Sequence, residues 1–390
     1  MAAELDKDKD GGFESSSSKP DPASYGLQKI DVSLDNTDRV FLAGKSVTGK
    51  VMLDLAAPIS ALGIRVRCKG EARVYFTDRS AMGIRRRFGA EEAYVHLKPY
   101  IIGDGATPTQ ISSDSYEFNI KLPEEIPCSF EGRYGRIRYS IRASLVIDNE
   151  VVFHSSVVPF SVTSTCDLNE DSLAPLPISE KQSKSYVGQR GPVNLELSLP
   201  VRGFVPGQTV PLQIFLSNES NVRVFKIRIV LKKVVTYRAK EKSRRHKEIV
   251  IEIEQALSGN EENISDQFDV PSVPPSGMKC CKIIDVRYAL KVEARVDLGD
   301  WYYRMLQKNP KIRTNIVIGT VPLKNYEDTL AEADGDLRLG SKEEYEKSQI
   351  YRSSKPDKDD PTGDEGDSDG EVSPYSPMYR VYKFKESSAK

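Results

Sequence analysis

Alternation of apolar and polar side chains is the dominant pattern along this chain. From Ile137 to Ile147 every second residue is apolar or small, and Arg or Ser fills most positions between them. The stretch from Val286 to Val296 follows the same rule, with Arg, Lys or Glu at most intervening positions. A period of two residues places alternate side chains on opposite faces of a strand. Each stretch is therefore predicted to be a β-strand with one buried and one exposed face.

A third alternating stretch predicts a long hairpin. Apolar residues alternate with Lys and Arg from Phe225 to Tyr237, and the pattern returns at Ile249 after a basic stretch that we interpret as the loop. Helical periodicity is hard to find in either half of the chain. An antiparallel sheet with one solvent-exposed face buries its other face against a second sheet. The predicted fold class is therefore all-β, built from immunoglobulin-like β-sandwiches.

The beginning of one strand occurs twice in the sequence. FLAGKSVTGKVML from Phe41 and FVPGQTVPLQIFL from Phe204 share aromatic, glycine and branched aliphatic residues at matching positions. The first two alternating stretches form a second matching pair at a similar spacing. Matches so far apart indicate a duplicated domain rather than solenoid repeats of roughly 20 to 50 residues. Gly44 and Gly207, which align, are predicted to lie in turns where a positive φ or a close backbone approach excludes a side chain.

Length and composition set the domain boundaries. A chain of 390 residues suits two domains of roughly 100 to 150 residues each, together with tails. The end of the chain is acidic and has too few apolar groups to offset the entropy of ordering it. The predicted organisation is a disordered lead over residues 1–26, a first sandwich over 27–165, a linker over 166–190, a second sandwich over 191–323 and a disordered acidic tail over 324–390.

Charge and cysteine content narrow the function classes. The chain has 56 basic and 57 acidic residues, so its overall charge does not favour nucleic acid as a partner. The polar N-terminus lacks the apolar core of a signal peptide, and no later run approaches the roughly 20 apolar residues of a membrane span. Five cysteines without a C-x-x-C pattern fit a reducing compartment. We therefore expect a cytoplasmic protein.

Motifs that carry catalysis or bind cofactors are missing from the sequence. The three histidines lie far apart and show no metal-ligand spacing. No P-loop, no glycine-rich dinucleotide motif and no G-x-S-x-G nucleophile motif occurs. The expectation is a protein without enzymatic activity, metal or cofactor.

Two basic stretches are candidate partner sites. Clustered guanidinium and ammonium groups can pair with phosphate on a receptor tail or on an anionic lipid. The alternative interpretation is that these stretches carry only solvated charge. The candidate residues are Arg85, Arg86 and Arg87 in the first sandwich and Arg244, Arg245 and Lys247 at the predicted tip of the long hairpin.

The end of the acidic tail has a different composition. SPYSPMYRVYKF contains three tyrosines, a phenylalanine and two prolines. An aromatic cluster in a solvated tail is typical of a docking motif, and the alternative is a chance cluster without a role. Phosphorylation of nearby serines would add charge beside it. The candidate docking residues are Pro377, Tyr379, Tyr382 and Phe384, and the candidate phosphorylation sites are Ser368, Ser373 and Ser376.

Several of these motifs together resemble the α-arrestin branch of the arrestin family. The resemblance rests on the two strand openings from Phe41 and Phe204, on LPEEIPCSFEGRYGRIRYSIRA from Leu122 and on IIDVRYALKVEARV from Ile283. It covers roughly residues 27–323. It implies an N-lobe and a C-lobe without enzymatic activity. It also implies an adaptor that grips membrane-protein cargo or sorting machinery, steers ubiquitination and endocytosis, and is recruited to the plasma membrane and endosomes.

The tail departs from the pattern of this branch. The branch commonly carries PPxY motifs that bind WW domains of HECT-type ubiquitin ligases, but Ser376-Pro377-Met378-Tyr379 has serine in place of the first proline. Losing that proline removes part of the groove contact and its preset backbone, which argues against direct binding. Regulation by phosphorylation and docking of VYKF on a sheet edge of the second sandwich are two further uses of the same stretch.

Two other function classes stay open at this point. The same fold class serves as a subunit of endosomal sorting coats, which would need stable partners and no ubiquitin ligase. A tandem adhesion module of immunoglobulin type would need secretion, against which the N-terminus and the cysteine count argue. The buried charged network of the better-known arrestins is not transferred here, because Arg138, Arg142, Arg287 and Arg295 fall on the outward register of their strands.

Overall fold

Two β-sandwiches follow one another along the chain. The computed structural model describes residues 21–79, 82–297, 308–324, 344–348 and 375–383. No α-helix occurs among these residues, and a single 3-10 turn, Pro22–Tyr25, precedes the first strand. The all-β prediction is confirmed.

The first sandwich, called the first lobe from here on, packs a three-stranded sheet against a larger one. The order is β1-β3-β9 in the small sheet and β2-β13-β11-β5-β6 in the large sheet, with β10 and β12 paired to β11, β7 paired to β5, and β4 and β8 paired separately. The strands are β1 (Leu27–Leu34), β2 (Val40–Leu42), β3 (Ser46–Leu55), β4 (Ile59–Ala61), β5 (Gly63–Arg79), β6 (Arg85–Leu97), β7 (Tyr100–Gly103), β8 (Thr109–Ile111), β9 (Asp114–Lys121), β10 (Phe130–Gly132), β11 (Gly135–Val146), β12 (Val152–His154) and β13 (Val158–Thr163).

The second sandwich, the second lobe, has the same two-layer plan. Its sheets have the orders β14-β15-β17-β20 and β16-β22-β21-β18-β19. The strands are β14 (Ile178–Ser185), β15 (Pro192–Leu199), β16 (Gly203–Phe204), β17 (Thr209–Asn218), β18 (Arg223–Arg238), β19 (Ser243–Ala256), β20 (Glu261–Asp269), β21 (Ile284–Asp297) and β22 (Lys311–Ile318).

Equivalent strands of the two lobes occupy equivalent places. In each lobe the strand before the repeated glycine runs parallel to the last strand of the lobe, β2 beside β13 and β16 beside β22. Gly44 and Gly207 follow with φ values of 79° and 88°, a region that a side chain makes costly. The duplication and the turn role of both glycines are thereby confirmed.

The alternating stretches form the centre of each core. Tyr139 in β11 and Tyr288 in β21 are both fully buried, and each hydroxyl donates to a proline carbonyl oxygen in the preceding loop, at 2.7 Å to Pro127 and 2.6 Å to Pro274. A buried tyrosine needs such a partner for its hydroxyl group. The same device in both lobes supports their common origin.

The structure differs from the sequence prediction in four places. Strand β14 lies inside the stretch expected to be a linker, because an exposed edge strand can be polar and still pair along β15. The basic residues near positions 85 and 245 belong to strands β6 and β19, since the turn of the long hairpin covers only residues 239–242. Ile249, where the apolar alternation of the predicted hairpin resumes, is 47 % exposed on the edge strand β19. The tail, expected to be disordered, contains β23 (Glu344–Lys347) and β24 (Met378–Val381).

Candidate partner-binding surfaces

The tail hairpin lies between the two lobes. Strands β23 and β24 pair antiparallel with each other and form a separate two-stranded sheet. Their contacts reach both sandwiches, through a set of residues that we call the interlobe seam. The seam consists of Ser129, Phe160 and Ser161 of the first lobe and Pro206, Ser272 and Thr320 of the second lobe.

Tyr379 is the most deeply placed residue of the hairpin. It is 4 % exposed, and its hydroxyl donates to the Ser129 carbonyl oxygen at 3.1 Å. The neighbouring Met378 amide donates to the Ser161 hydroxyl oxygen, also at 3.1 Å. Burial raises the pKa of Tyr379 well above its usual value. The ring therefore fills the seam as a neutral hydrogen-bond donor.

Two further tyrosines hold the hairpin on either side. The Tyr375 hydroxyl donates to the Phe160 carbonyl oxygen at 3.0 Å, and burial raises the pKa of Tyr375 to about 12. The guanidinium of Arg138 lies 5.8 Å from the centre of the Tyr375 ring, which is within range of a cation–π contact. On the opposite side, the Tyr382 hydroxyl donates to the Thr320 carbonyl oxygen at 2.7 Å. One tyrosine thus contacts each lobe, with Tyr379 between them.

Gly207 permits a close backbone approach of the tail at the seam. The Tyr382 amide donates to the Pro206 carbonyl oxygen at 3.0 Å. A β-carbon on Gly207 would overlap the Tyr382 carbonyl oxygen. The repeated glycine of the second lobe therefore does more than form a turn, because it also makes room for the tail.

Strand β23 ties the hairpin to the second lobe. The Ser272 hydroxyl donates to the Glu346 carbonyl oxygen at 2.9 Å. Lys383 and Glu344 form an exposed ion pair across the hairpin at 2.5 Å, which contributes little on its own. Most of the attachment therefore comes from buried Tyr379, from the two half-buried tyrosines and from the hydroxyl hydrogen bonds.

The predicted tail residues have different outcomes. Pro377, Tyr379 and Tyr382 lie in or beside the seam, and Ser376 is half-buried. The tail docks within the molecule, which is one of the uses left open by the sequence, but β24 pairs with β23 and not with a sheet edge of the second sandwich. Phe384, Ser368 and Ser373 lie outside the described residues.

The first basic cluster belongs to a larger charged face. Arg85 and Arg87 lie opposite Arg79 and Thr77 of β5, so their side chains share the outer face of the large sheet, whereas Arg86 lies in the alternate register. All three are exposed. The same face, called the outer basic face, carries Arg65, Arg67 and Lys69 of β5 and Arg136, Arg138 and Arg142 of β11.

Like charges face each other directly on this surface. Arg67 lies opposite Arg142 in the register of β5 and β11, and Ser144 lies opposite Arg65. Directly opposed like charges destabilise a sheet. His154, 2.8 Å from the Ser144 hydroxyl, has its pKa lowered to about 4, first by burial and then by Arg142, Arg67 and Arg65. This end of the face therefore has a positive potential suited to an anion.

The second basic cluster is divided between two environments. The Arg244 guanidinium stacks 4.4 Å from the centre of the Tyr134 ring and donates to the Thr77 carbonyl oxygen at 2.7 Å, so it joins the lobes. Arg245 and Lys247 are exposed. Of this cluster only Arg245 and Lys247 are placed to meet a partner.

Buried charges flank the hairpin and the lobe interface. Arg138 pairs with Glu131, whose carboxylate is buried and whose pKa is raised by that burial. In the second lobe, Lys233 lies 2.8 Å from Glu248, with both side chains at most 10 % exposed, and 5.8 Å from the centre of the Phe130 ring. The outward register of Arg138 is confirmed, but this side chain is only 26 % exposed rather than solvated.

Sequence reasoning did not find the residues that receive the tail. Ser129, Ser161 and Thr320 are small polar residues in or beside short strands, and such residues are common in any sandwich.

Within the described ranges, no cluster of three metal-ligand side chains occurs, and no helix has the length and apolar character to cross a bilayer.

Comparison with known proteins identifies the family. Residues 30–169 match the arrestin (or S-antigen) N-terminal domain, and residues 189–323 match the arrestin (or S-antigen) C-terminal domain. The chain belongs to the arrestin family. These two domains correspond to the two lobes, and the resemblance to the α-arrestin branch is confirmed by relatives named arrestin domain-containing proteins.

The relatives match between about two thirds and three quarters of this chain. Arrestin domain-containing protein 4 of Mus musculus is 27 % identical over 310 residues, which are 75 % of this chain and 71 % of the relative. Arrestin domain-containing protein 17 of Caenorhabditis elegans is 26 % identical over 76 % of this chain and 71 % of the relative. Arrestin domain-containing protein 1 of Homo sapiens is 28 % identical over 69 % of this chain and 61 % of the relative.

Proposed function

We propose that this arrestin-family protein is a non-enzymatic adaptor that binds acidic or phosphorylated cytosolic segments of membrane proteins. In this proposal it moves from the cytoplasm to the plasma membrane and endosomes, where it directs ubiquitination, endocytosis and trafficking of its cargo. The observation that supports it best is the outer basic face, where Arg67 and Arg142 oppose each other beside Arg65. An anion between two such strands relieves their repulsion and accepts charge-assisted hydrogen bonds.

Charge removal on this face tests the proposal. The variant Arg67→Gln/Arg142→Gln should bind a synthetic acidic peptide with two phosphoserines about tenfold more weakly in a fluorescence titration, and the difference should shrink at high salt. The matched control is Lys29→Gln/Lys181→Gln, which removes the same charge from exposed ion pairs elsewhere. Equal weakening by both variants would attribute the effect to net charge, and unchanged binding by the first would refute this site.

Anionic lipid is a second target for the exposed cations of the long hairpin. Arg245→Glu/Lys247→Glu should reduce sedimentation of the full chain with phosphatidylserine vesicles, because each surface cation near an anionic membrane contributes about 1 kcal/mol. Arg244 is unsuitable for this test, since its guanidinium joins the lobes. Unchanged sedimentation would show that the long hairpin of β18 and β19 does not bind anionic lipid. It would not affect the proposal that the outer basic face binds cargo.

A sorting scaffold without ligase recruitment is the second candidate. Burial of Tyr379 favours it, because this ring would have to occupy a slot of a WW domain for a ligase to bind. A titration of the peptide Gly366–Lys390 against WW domains of a HECT-type ligase, with Tyr379→Ala as control, separates the candidates. Micromolar binding that the alanine abolishes supports ligase recruitment, whereas no binding at millimolar peptide favours the scaffold.

A further inference from the structure

We infer that strand β19 is the interface of a symmetric homodimer, in which two copies of the chain pair their β19 strands antiparallel across a twofold axis. Three observations support it: an open strand edge, a bulge in that strand, and opposite charges on the two sides of the bulge. This inference goes beyond the proposed function and does not depend on it, because it concerns contacts between two copies of the chain.

Strand β19 leaves one edge of its sheet open. It lies last in the order β16-β22-β21-β18-β19, and within the described ranges it pairs with β18 alone. A long edge strand presents backbone N–H and C=O groups to a second strand, and proteins usually protect such an edge with charged side chains or keep it short. β19 has 14 residues, and exposed Ile249 lies at its middle. The centre of this edge is therefore apolar and accessible.

A bulge at Val250 shifts the alternation of β19 by one residue. Ile249 lies opposite Lys232 of β18 and Ile251 lies opposite Leu231, so Val250 is the extra residue. Exposed side chains occupy odd-numbered positions before the bulge and even-numbered positions after it. A bulge often protects an edge from pairing, but here it also places residues from both halves of the strand on one exposed face.

The two halves carry opposite charges on that face. Arg245 and Lys247 are exposed before the bulge, and Glu252 and Glu254 are exposed after it. The β18 residues opposite the two cations are a threonine and a valine, which carry no charge. Arg228 of β18 contacts both glutamates, and a carboxylate can accept several hydrogen bonds at once. The glutamates can therefore accept from a second cation, and the two cations lie opposite no acidic residue on β18.

A twofold axis just after Ile249 pairs these charges. Arg245 and Glu254 lie equally far from this axis along the strand, as do Lys247 and Glu252. Because directly opposite residues of antiparallel strands share a face, each cation of one copy meets a glutamate of the other. Without the bulge the glutamates would lie on the opposite face and could not meet the cations. The strand is thus complementary to a second copy of itself, as a symmetric interface requires.

Sedimentation equilibrium of the full chain at increasing concentration, without lipid, tests the inference. We expect a reversible monomer–dimer equilibrium, since an interface of one strand pair belongs to the small, transient class. Ile249→Lys places a cation of each copy at the axis and should raise the dimer dissociation constant at least about tenfold. This variant leaves the ion pairs between β18 and β19 intact, so it does not threaten the fold.

The matched control is Met52→Lys, which changes an exposed apolar side chain on strand β3 of the first lobe. It should leave the dissociation constant unchanged. A wild type that stays monomeric, a dimer that Ile249→Lys leaves intact, or equal weakening by both variants would overturn the inference.

Charge reversal tests the register of the two strands. Arg245→Glu/Lys247→Glu makes the face wholly acidic and Glu252→Lys/Glu254→Lys makes it wholly basic, so neither variant should dimerise with itself. An equimolar mixture of the two variants restores opposite charges at every pair and should dimerise again. If the two variants have the circular dichroism of the wild type and their mixture stays monomeric, the proposed register is wrong.

Discussion

Glycine is needed at position 207 for two reasons, a positive φ and the close approach of the Tyr382 backbone. Gly188 has only the first of these features and serves as the comparison. Gly207→Ala would place a side chain at φ 88° and against the Tyr382 backbone, whereas Gly188 has φ 76° and nothing within 4 Å of an added β-carbon. Each alanine should lower the free energy of unfolding by about 1–2 kcal/mol through backbone strain. Only Gly207→Ala should also speed hydrogen exchange at Tyr382. Slow exchange at Tyr382 in that variant would contradict the close approach.

The buried pair Lys233 and Glu248 is the residue contact with the largest expected effect on stability. Glu248→Gln leaves an uncompensated ammonium group in the lobe interface, so the free energy of unfolding should fall by about 3 kcal/mol. The double variant Lys233→Met/Glu248→Gln removes the buried charge and should recover most of that loss in urea unfolding. If the single variant is as stable as the wild type, water must solvate Lys233 and the pair is not buried in solution.

At the scale of elements, strand β12 pairs with β11 and places His154 beside the outer basic face, so that the protonation of His154 reports on this face. The pKa of His154 is lowered to about 4 by burial and by three arginines. The unfolded chain therefore binds a proton at His154 between about pH 6.5 and 4 while the folded chain does not, so this residue's stabilising effect is present above pH 6.5 and is lost as pH falls through that window. Because His154 is more than a third exposed, solvent screens part of the effect.

Titration of His154 by NMR checks this prediction. The midpoint should lie below that of a free histidine and should rise when an acidic phosphopeptide binds, because the added negative charge offsets Arg67 and Arg142. Arg67→Gln should raise the midpoint without any ligand. A midpoint near 6.5 in the wild type would show that the arginines do not act on His154.

The strands differ in how far the sequence could predict them. β11 and β21 are central strands with one buried face, so burial imposes the alternation from which both were predicted. β14 is an edge strand whose side chains are mostly exposed. β24 is stabilised by contacts with groups on both lobes, which its own sequence does not reveal. Patterns of single strands cannot predict such elements, because the partners lie far away in sequence. The same holds for the seam, whose hydroxyl groups become a site only when the lobes meet.

At the scale of the whole molecule, the hairpin links two lobes that also touch directly. Cys128 of the first lobe lies 3.4 Å from Met278 of the second through their sulfur atoms, and Tyr134 packs edge-on against Tyr237 at 5.7 Å between ring centres. These contacts fix one relative orientation. The hairpin adds to these contacts, since each lobe supplies part of the seam, and we expect its removal to loosen the joint between the lobes.

A double-mutant cycle measures this link. The Met378 amide donates to Ser161 of the first lobe and Ser272 of the second lobe donates to the Glu346 carbonyl oxygen, so the hairpin connects these two serines. Ser161→Ala and Ser272→Ala together should cost less than the sum of the single changes by about 0.5–1 kcal/mol, because either change alone already frees part of the hairpin. Ser161→Ala with Ser265→Ala should be additive, because the Ser265 hydroxyl bonds to its cross-strand neighbour Gln213 within the sheet β14-β15-β17-β20. Additivity in both cycles would mean that the hairpin does not transmit energy between the lobes, and the tail would then occupy the seam without joining them.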